Sequence, residues 1–205
     1  MAPPLVLACG ALVAELRAVL AAGGLTNAVE VSYLPANLHN RPEQIVPSLR
    51  RLLAEVDPDG DRRVLIGYAD CGTGGGLDAL LAERPNLHRL PGSHCYEFFA
   101  GSDLFLALHE AELGTLYLTD FLAKHFDALV WQGLGLDRHP ELSDVYFANY
   151  TRVLLLSQTE DPAVIAAARD AAQRLRLGFD HVHVGLQTFA DAVEVAVGLS
   201  TRRNA

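Results

Sequence analysis

Short apolar runs alternate along the chain with longer amphipathic stretches. Residues 4–8 (PLVLA) form one such run and stop at Cys9-Gly10, and residues 11–22 are strong helix formers halted by Gly23-Gly24. The β-rich run 29–34 (VEVSYL) ends at Pro35, and a loop leads on to His39. Pro42 suits a first helical position, and 43–56 follows as an amphipathic helix closed by Pro58 and Gly60. Residues 63–68 (RVLIGY) predict a third strand, after which Asp70-Cys71-Gly72-Thr73-Gly74-Gly75-Gly76 opens a helix over 77–82. A fourth strand at 87–90 runs into Pro91-Gly92-Ser93-His94-Cys95.

Farther along, the pattern turns helical. Ser102 and Thr119 each suit an N-cap, for helices over 103–113 and 120–126. Residues 128–132 (ALVWQ) read as a fifth strand, 140–150 as a helix and 152–157 (RVLLLS) as a sixth strand. Asp161-Pro162 pairs an N-cap with a proline at the first helical position, and that helix runs to Gly178. Residues 181–184 predict a last strand, with His181 and His183 on one face, and 191–197 a last helix. This alternation, with strands that are almost wholly apolar, predicts a single α/β domain over residues 1–205. Its mainly parallel β-sheet is covered by helices on both faces.

Composition narrows the function classes. Half of the 205 residues are hydrophobic, and a domain of this size buries about 70% of its extended-chain surface, so disulfides are not needed to hold it. The 25 acidic and 16 basic residues leave a net charge of −9, which disfavours nucleic acid and anionic membranes as partners. No run of about 18 uncharged apolar residues predicts a membrane span. The apolar N-terminal stretch lacks a basic start and is broken by Glu15 and Arg17, which argues against a signal peptide. Three well-separated cysteines in such a chain read as reduced thiols of a cytoplasmic protein.

The positions of those cysteines carry the chemical argument. In a parallel α/β sheet, ligands bind beyond the carboxyl ends of the strands. Cys9 follows the first predicted strand, Cys71 the third and Cys95 the fourth, while His39 follows the second and His94 adjoins Cys95. Cysteines that merely pack in a core sit among Val, Leu and Ile; these neighbour Gly10, Gly72, Asp70 and His94. The glycine-rich loop at Cys71 permits close backbone approach and positive φ, and it leads into a helix N-terminus. Gly10, Gly72, Thr73 and Gly74 are therefore candidates for contact with a cofactor. The loop has neither the Walker pattern nor dinucleotide-fingerprint spacing.

Three thiolates on three loops suit two kinds of centre. One is a [4Fe–4S] cluster with an iron left open for substrate, and the other is a zinc with three cysteine ligands and an open or histidine-filled fourth position. The cluster is preferred, because three soft ligands lack a fixed fourth partner; His39 or His94 as a fourth ligand would favour zinc. His39, Asp70, His94 and Glu97 are candidates for proton transfer or substrate orientation beside the ligands. Asp137 and His139 follow the predicted fifth strand and also read as an ordinary capped helix entry before Pro140. His109 and His125 fall within helices, and no hydrolase elbow or paired-histidine zinc motif occurs.

Four segments resemble a known family. They are Ala8-Cys9-Gly10-Ala11-Leu12, Tyr33-Leu34-Pro35-Ala36-Asn37-Leu38-His39, Gly67-Tyr68-Ala69-Asp70-Cys71-Gly72 and Ser93-His94-Cys95. In order and spacing they are similar to the bacterial and archaeal domain of unknown function 1638 family, over roughly residues 5–185. His94 stands where that family usually carries an acidic residue, and Ala69 replaces a glycine. The resemblance implies an association with corrinoid-dependent methyltransferases, hence a role in one-carbon metabolism. Two hypotheses follow. The chain is an enzyme performing a lyase or methyl-transfer step on a small molecule at a metal centre. Alternatively, it is an accessory protein that holds a metal, corrinoid or small molecule for a methyltransferase.

Overall fold

Parallel strands joined through helices dominate the computed structural model, which describes residues 2–198. In chain order the first elements are β1 (Leu5–Cys9), α1 (Val13–Ala22), β2 (Glu30–Leu34), α2 (Ile45–Val56), β3 (Val64–Gly67), α3 (Gly76–Glu83), β4 (Leu87–Arg89) and α4 (Cys95–Ala100). Next come α5 (Ser102–Ala111), β5 (Thr115–Leu118), α6 (Asp120–Lys124), α7 (Ser143–Tyr146), β6 (Arg152–Ser157), α8 (Pro162–Leu175), β7 (Gly178–His183) and α9 (Gln187–Val197). Two compact units result: residues up to Phe98 together with the segment from Leu186, and Phe99–Gly185.

The α/β class with parallel strands flanked by helices agrees with the sequence. The strands are divided between two sheets, however: β2-β1-β3-β4 in the first unit and β5-β6-β7 in the second. Every strand pair is parallel. β1, β3 and most of β6 are buried, as their unbroken apolar sequences require. In the first unit Leu5, Leu7, Val64 and Ile66 pack with Ile45, Leu49 and Leu53 of α2 and Leu77 and Leu80 of α3. Gly67 is needed at the centre of this sheet, because a Cβ there would stand 2.7 Å from that of Ala8. Among the described residues no helix is long and apolar enough to cross a membrane.

Three local expectations are corrected. Residues 128–132 are not a strand, since Asp127–Trp131 forms a π-helical turn continuing from α6. Its amides are already consumed, with Leu129 N–H donating to His125 O at 3.0 Å and Gln132 N–H to Asp127 O at 2.8 Å. Trp131 lies under the Arg174 guanidinium, 3.6 Å from its ring centroid, which places the indole beside α8. The strand in this region is β5 instead, a four-residue run that begins just after Gly114. The helix read over 140–150 shrinks to a 3₁₀ turn and α7, and α8 stops at Leu175, where Arg176 takes a left-handed conformation.

Candidate functional site

The carboxyl ends of β1, β2, β3 and β4 form one rim of the four-stranded sheet, and the loops leaving them are held by specific contacts. Cys9 closes β1 and caps the following 3₁₀ turn, its sulfur accepting from Ala11 N–H at 3.5 Å. Gly10 lets this loop approach the end of β2, because a Cβ would lie 2.9 Å from Leu34 O and 3.1 Å from Ala36 N. The 3₁₀ turn after β2, Ala36–Asn40, carries His39.

The loop after β3 is tied to the loop after β4. Asp70 N–H donates to Gly92 O at 3.1 Å and Cys71 N–H to Ser93 O at 2.8 Å, with Cys71 itself at φ +49°. A left-handed backbone is unusual for cysteine and marks a position fixed by its surroundings. Arg89 staples the same region, its guanidinium reaching Asp78 at 2.6 and 3.1 Å, Leu90 O at 2.9 Å and Gly92 O at 3.1 Å.

The carboxylates at this rim serve the loops. Asp70 accepts from the Thr73 hydroxyl at 2.7 Å, Gly74 N–H at 3.1 Å and Gly75 N–H at 2.9 Å. Burial works against the Asp70 carboxylate, but these bonds and the Arg89 charge outweigh it and lower its pKa. The glycine-rich loop thus already encloses an anion of its own, and Thr73 and Gly74 direct donors at Asp70. Glu97 accepts from Ser93 N–H at 2.8 Å and from its hydroxyl at 3.1 Å, and fills the space a side chain at Gly92 would need. The exposed Gly72 packs near Pro42.

Cys9, Cys71 and Cys95 are free and half-buried, and they share one electrostatic neighbourhood. Burial raises all three thiol pKa values, that of Cys71 to about 12. After burial, the charge of Cys9 acts on Cys71, and the charges of Cys71 and Cys9 act on Cys95. Backbone N–H groups oppose the burial at each sulfur: Ala11 at Cys9, Ala69 and Cys95 at Cys71, and Tyr96 at Cys95. Such donors stabilise thiolates.

Tyr68, at the end of β3, was absent from the sequence candidates. Its buried hydroxyl makes no hydrogen bond of ordinary geometry, and burial followed by the charge of Cys9 raises its pKa. Only its position three residues before Cys71 hinted at this. His39 keeps an exposed face, yet its ring is desolvated enough to lower its pKa, with the charge of His94 adding to the effect. His94 is exposed and stands 6.2 Å from the Tyr96 ring. Asp137 and His139 belong to the other unit, where His139 faces Glu141 at 3.3 Å. Among the described residues, no group of three or more His, Cys, Asp or Glu side chains closes on a single-ion position.

The residues fit a soft cationic group in kind. Half-buried thiols become thiolates once a cation offsets their burial, Ala11 N–H is already directed at the Cys9 sulfur, and the Tyr68 phenol lies beside Cys9. Comparison with known proteins found no match among curated proteins and none among solved structures. A family model does match residues 33–193, which takes in His39, Tyr68, Cys71, His94 and Cys95, whereas Cys9 and its segment lie before the matched range. The chain therefore belongs to the family described as protein of unknown function, DUF1638.

Proposed function

We propose that Cys9, Cys71 and Cys95 hold a metal centre at the rim of the four-stranded sheet, a [4Fe–4S] cluster in the first reading, and that the protein is an enzyme acting on a small molecule there. The observation that carries this reading is the convergence of three thiols at one rim: Cys9 ends β1, Cys71 follows the adjacent β3, and Cys71 N–H donates to Ser93 O two residues before Cys95, the first residue of α4. When bound, a cluster with three cysteine ligands supplies a Lewis-acidic iron open to substrate. The chain's own residues do the rest. Asp70, Glu97 and Arg89 lock the loop that carries Cys71 and the turn that leads into Cys95. The Tyr68 hydroxyl donates toward a cysteine sulfur. His39, kept neutral by its lowered pKa, accepts a proton at a ring nitrogen, and His94 orients the substrate. A lyase or methyl-transfer step in one-carbon metabolism fits this arrangement, with a corrinoid protein or methyltransferase as partner. Thiols kept reduced imply the cytoplasm.

Zinc is the second reading, in which His39 or His94 moves in to complete a Cys₃His set. A non-catalytic carrier role would use the same cysteines without needing His39 or His94. Anaerobic purification followed by iron, sulfide and zinc analysis tests all of this. A brown protein with about four irons supports the cluster, and a colourless one with about one zinc supports the second reading. Finding neither metal, with Cys9→Ala, Cys71→Ala and Cys95→Ala all leaving ligand binding unchanged, would overturn both.

A further inference from the structure

The three-stranded sheet carries a separate cluster at its own carboxyl edge. β6 ends at Ser157, and β7 pairs with it in parallel so that His183 lies opposite Ser157 and His181 opposite Leu155. Residues two apart on a strand face the same side, so the two histidines project together from an edge strand. Both are exposed, whereas Ser157 is fully buried. The rings converge on a single hydroxyl: Ser157 Oγ stands 2.8 Å from His181 Nε2 and 3.1 Å from His183 Nδ1. A hydroxyl has one proton and two lone pairs, so at least one of the two ring nitrogens presents an N–H to Ser157. The shared hydroxyl holds the two imidazoles side by side.

We propose that His181, His183 and Ser157 form a binding site for a borderline divalent transition-metal ion of the zinc, nickel or cupric class, independent of the cysteines. Imidazole nitrogen is the preferred ligand of such ions. The two nitrogen-to-oxygen separations suit hydrogen bonds, and they equally suit neighbouring ligands on one ion. With bonds of about 2.1 Å, ligands at right angles on a cupric or nickel ion stand about 3.0 Å apart and those on a tetrahedral zinc about 3.4 Å, so a small outward shift of the exposed rings seats either geometry. Exposure of the rings lets the ion enter from solvent and complete its coordination with water, while the buried hydroxyl fixes the inner side. Two cations on the adjoining elements are already engaged: Arg169 lies 5.2 Å over the Phe179 ring, and Arg152 pairs with Asp180 at 2.8 Å. Glu160, exposed three residues beyond Ser157, adds negative charge to the same loop. Binding requires both inward nitrogens as lone-pair donors. A ring that donates to Ser157 therefore moves that proton to its outer nitrogen as the ion binds.

The test is a zinc titration of the full chain labelled with ¹⁵N-histidine, following the ring nitrogens at neutral pH. His181 Nε2 and His183 Nδ1 should shift along one saturation curve, both ending in metal-bound lone-pair character. His183→Ala should weaken the His181 response on the order of ten-fold or more, and Ser157→Ala should weaken it less. Rings that stay unmoved as zinc is added overturn the proposal, as does a His181 response that is unchanged by His183→Ala. Zinc taken up at the cysteines does not enter this residue-specific reading, so the two sites succeed or fail separately.

Discussion

The two sheets end in rims of like topology, yet their unspent chemistry differs. At each rim an aspartate stands just past a strand and gives its carboxylate to a loop. Asp70 binds the Thr73 hydroxyl and the amides of Gly74 and Gly75. Asp120 accepts from Gln158 N–H at 3.0 Å, Thr159 N–H at 2.9 Å and the Thr159 hydroxyl at 2.5 Å, joining the end of β5 to that of β6. With the carboxylates committed to scaffolding, sulfur and the Tyr68 phenol beside Cys9 remain at the first rim, and imidazole and one hydroxyl at the second. An acidic residue beside a cysteine is thus a poor guide to acid–base chemistry here. What matters is which polar atoms the loops have left over.

The strongest way to break this comparison is to remove a sulfur. Cys71→Ala should reduce bound metal at least about ten-fold relative to the parent chain and leave the histidine ring signals of the second rim in place. Metal analysis beside a ring-nitrogen spectrum checks both halves. Next in size, Asp120→Ala should cost about 3 kcal/mol in urea unfolding, because it strips a nearly fully buried carboxylate from three donors. Asp70→Ala should cost less, about 1.5 kcal/mol, since exposed Gly74 and Gly75 can turn to water; its clearer effect is a fall in metal content as the Cys71 loop loosens. Equal costs for the two aspartates would contradict the difference drawn between the rims. The smallest change is expected from Tyr68→Phe. Removing a buried hydroxyl without an ordinary partner should move stability by under about 1 kcal/mol, while altering the visible spectrum or potential of the bound centre.

The first rim was largely legible in the sequence. Apolar runs cut off by Cys9-Gly10 and Asp70-Cys71-Gly72 placed those thiols at strand ends from local pattern alone, because a buried parallel strand must be almost wholly apolar. Cys9 is itself the last residue of β1, however, and Cys95 the first of α4, so only Cys71 lies on a loop. The use of Asp70 was not legible, since it depends on how tightly the glycine loop curls. Nor was β5, whose four residues are too few to show a period, or the π-helical turn at 127–131, whose apolar content matches a strand until its hydrogen bonds are known. The alternation of His181 and His183 was visible, but their shared partner was not. Ser157 lies 24 and 26 residues away and meets them only through the pairing of β6 with β7.

The central claim is that three cysteines share one metal centre, and X-ray absorption at the iron and zinc edges of the anaerobically isolated full chain tests it most directly. The account predicts stoichiometric metal with a sulfur-dominated first shell at about 2.3 Å, reduced in Cys95→Ala. A chain that carries no metal above trace, or one whose metal is bound by nitrogen and oxygen alone, would contradict it.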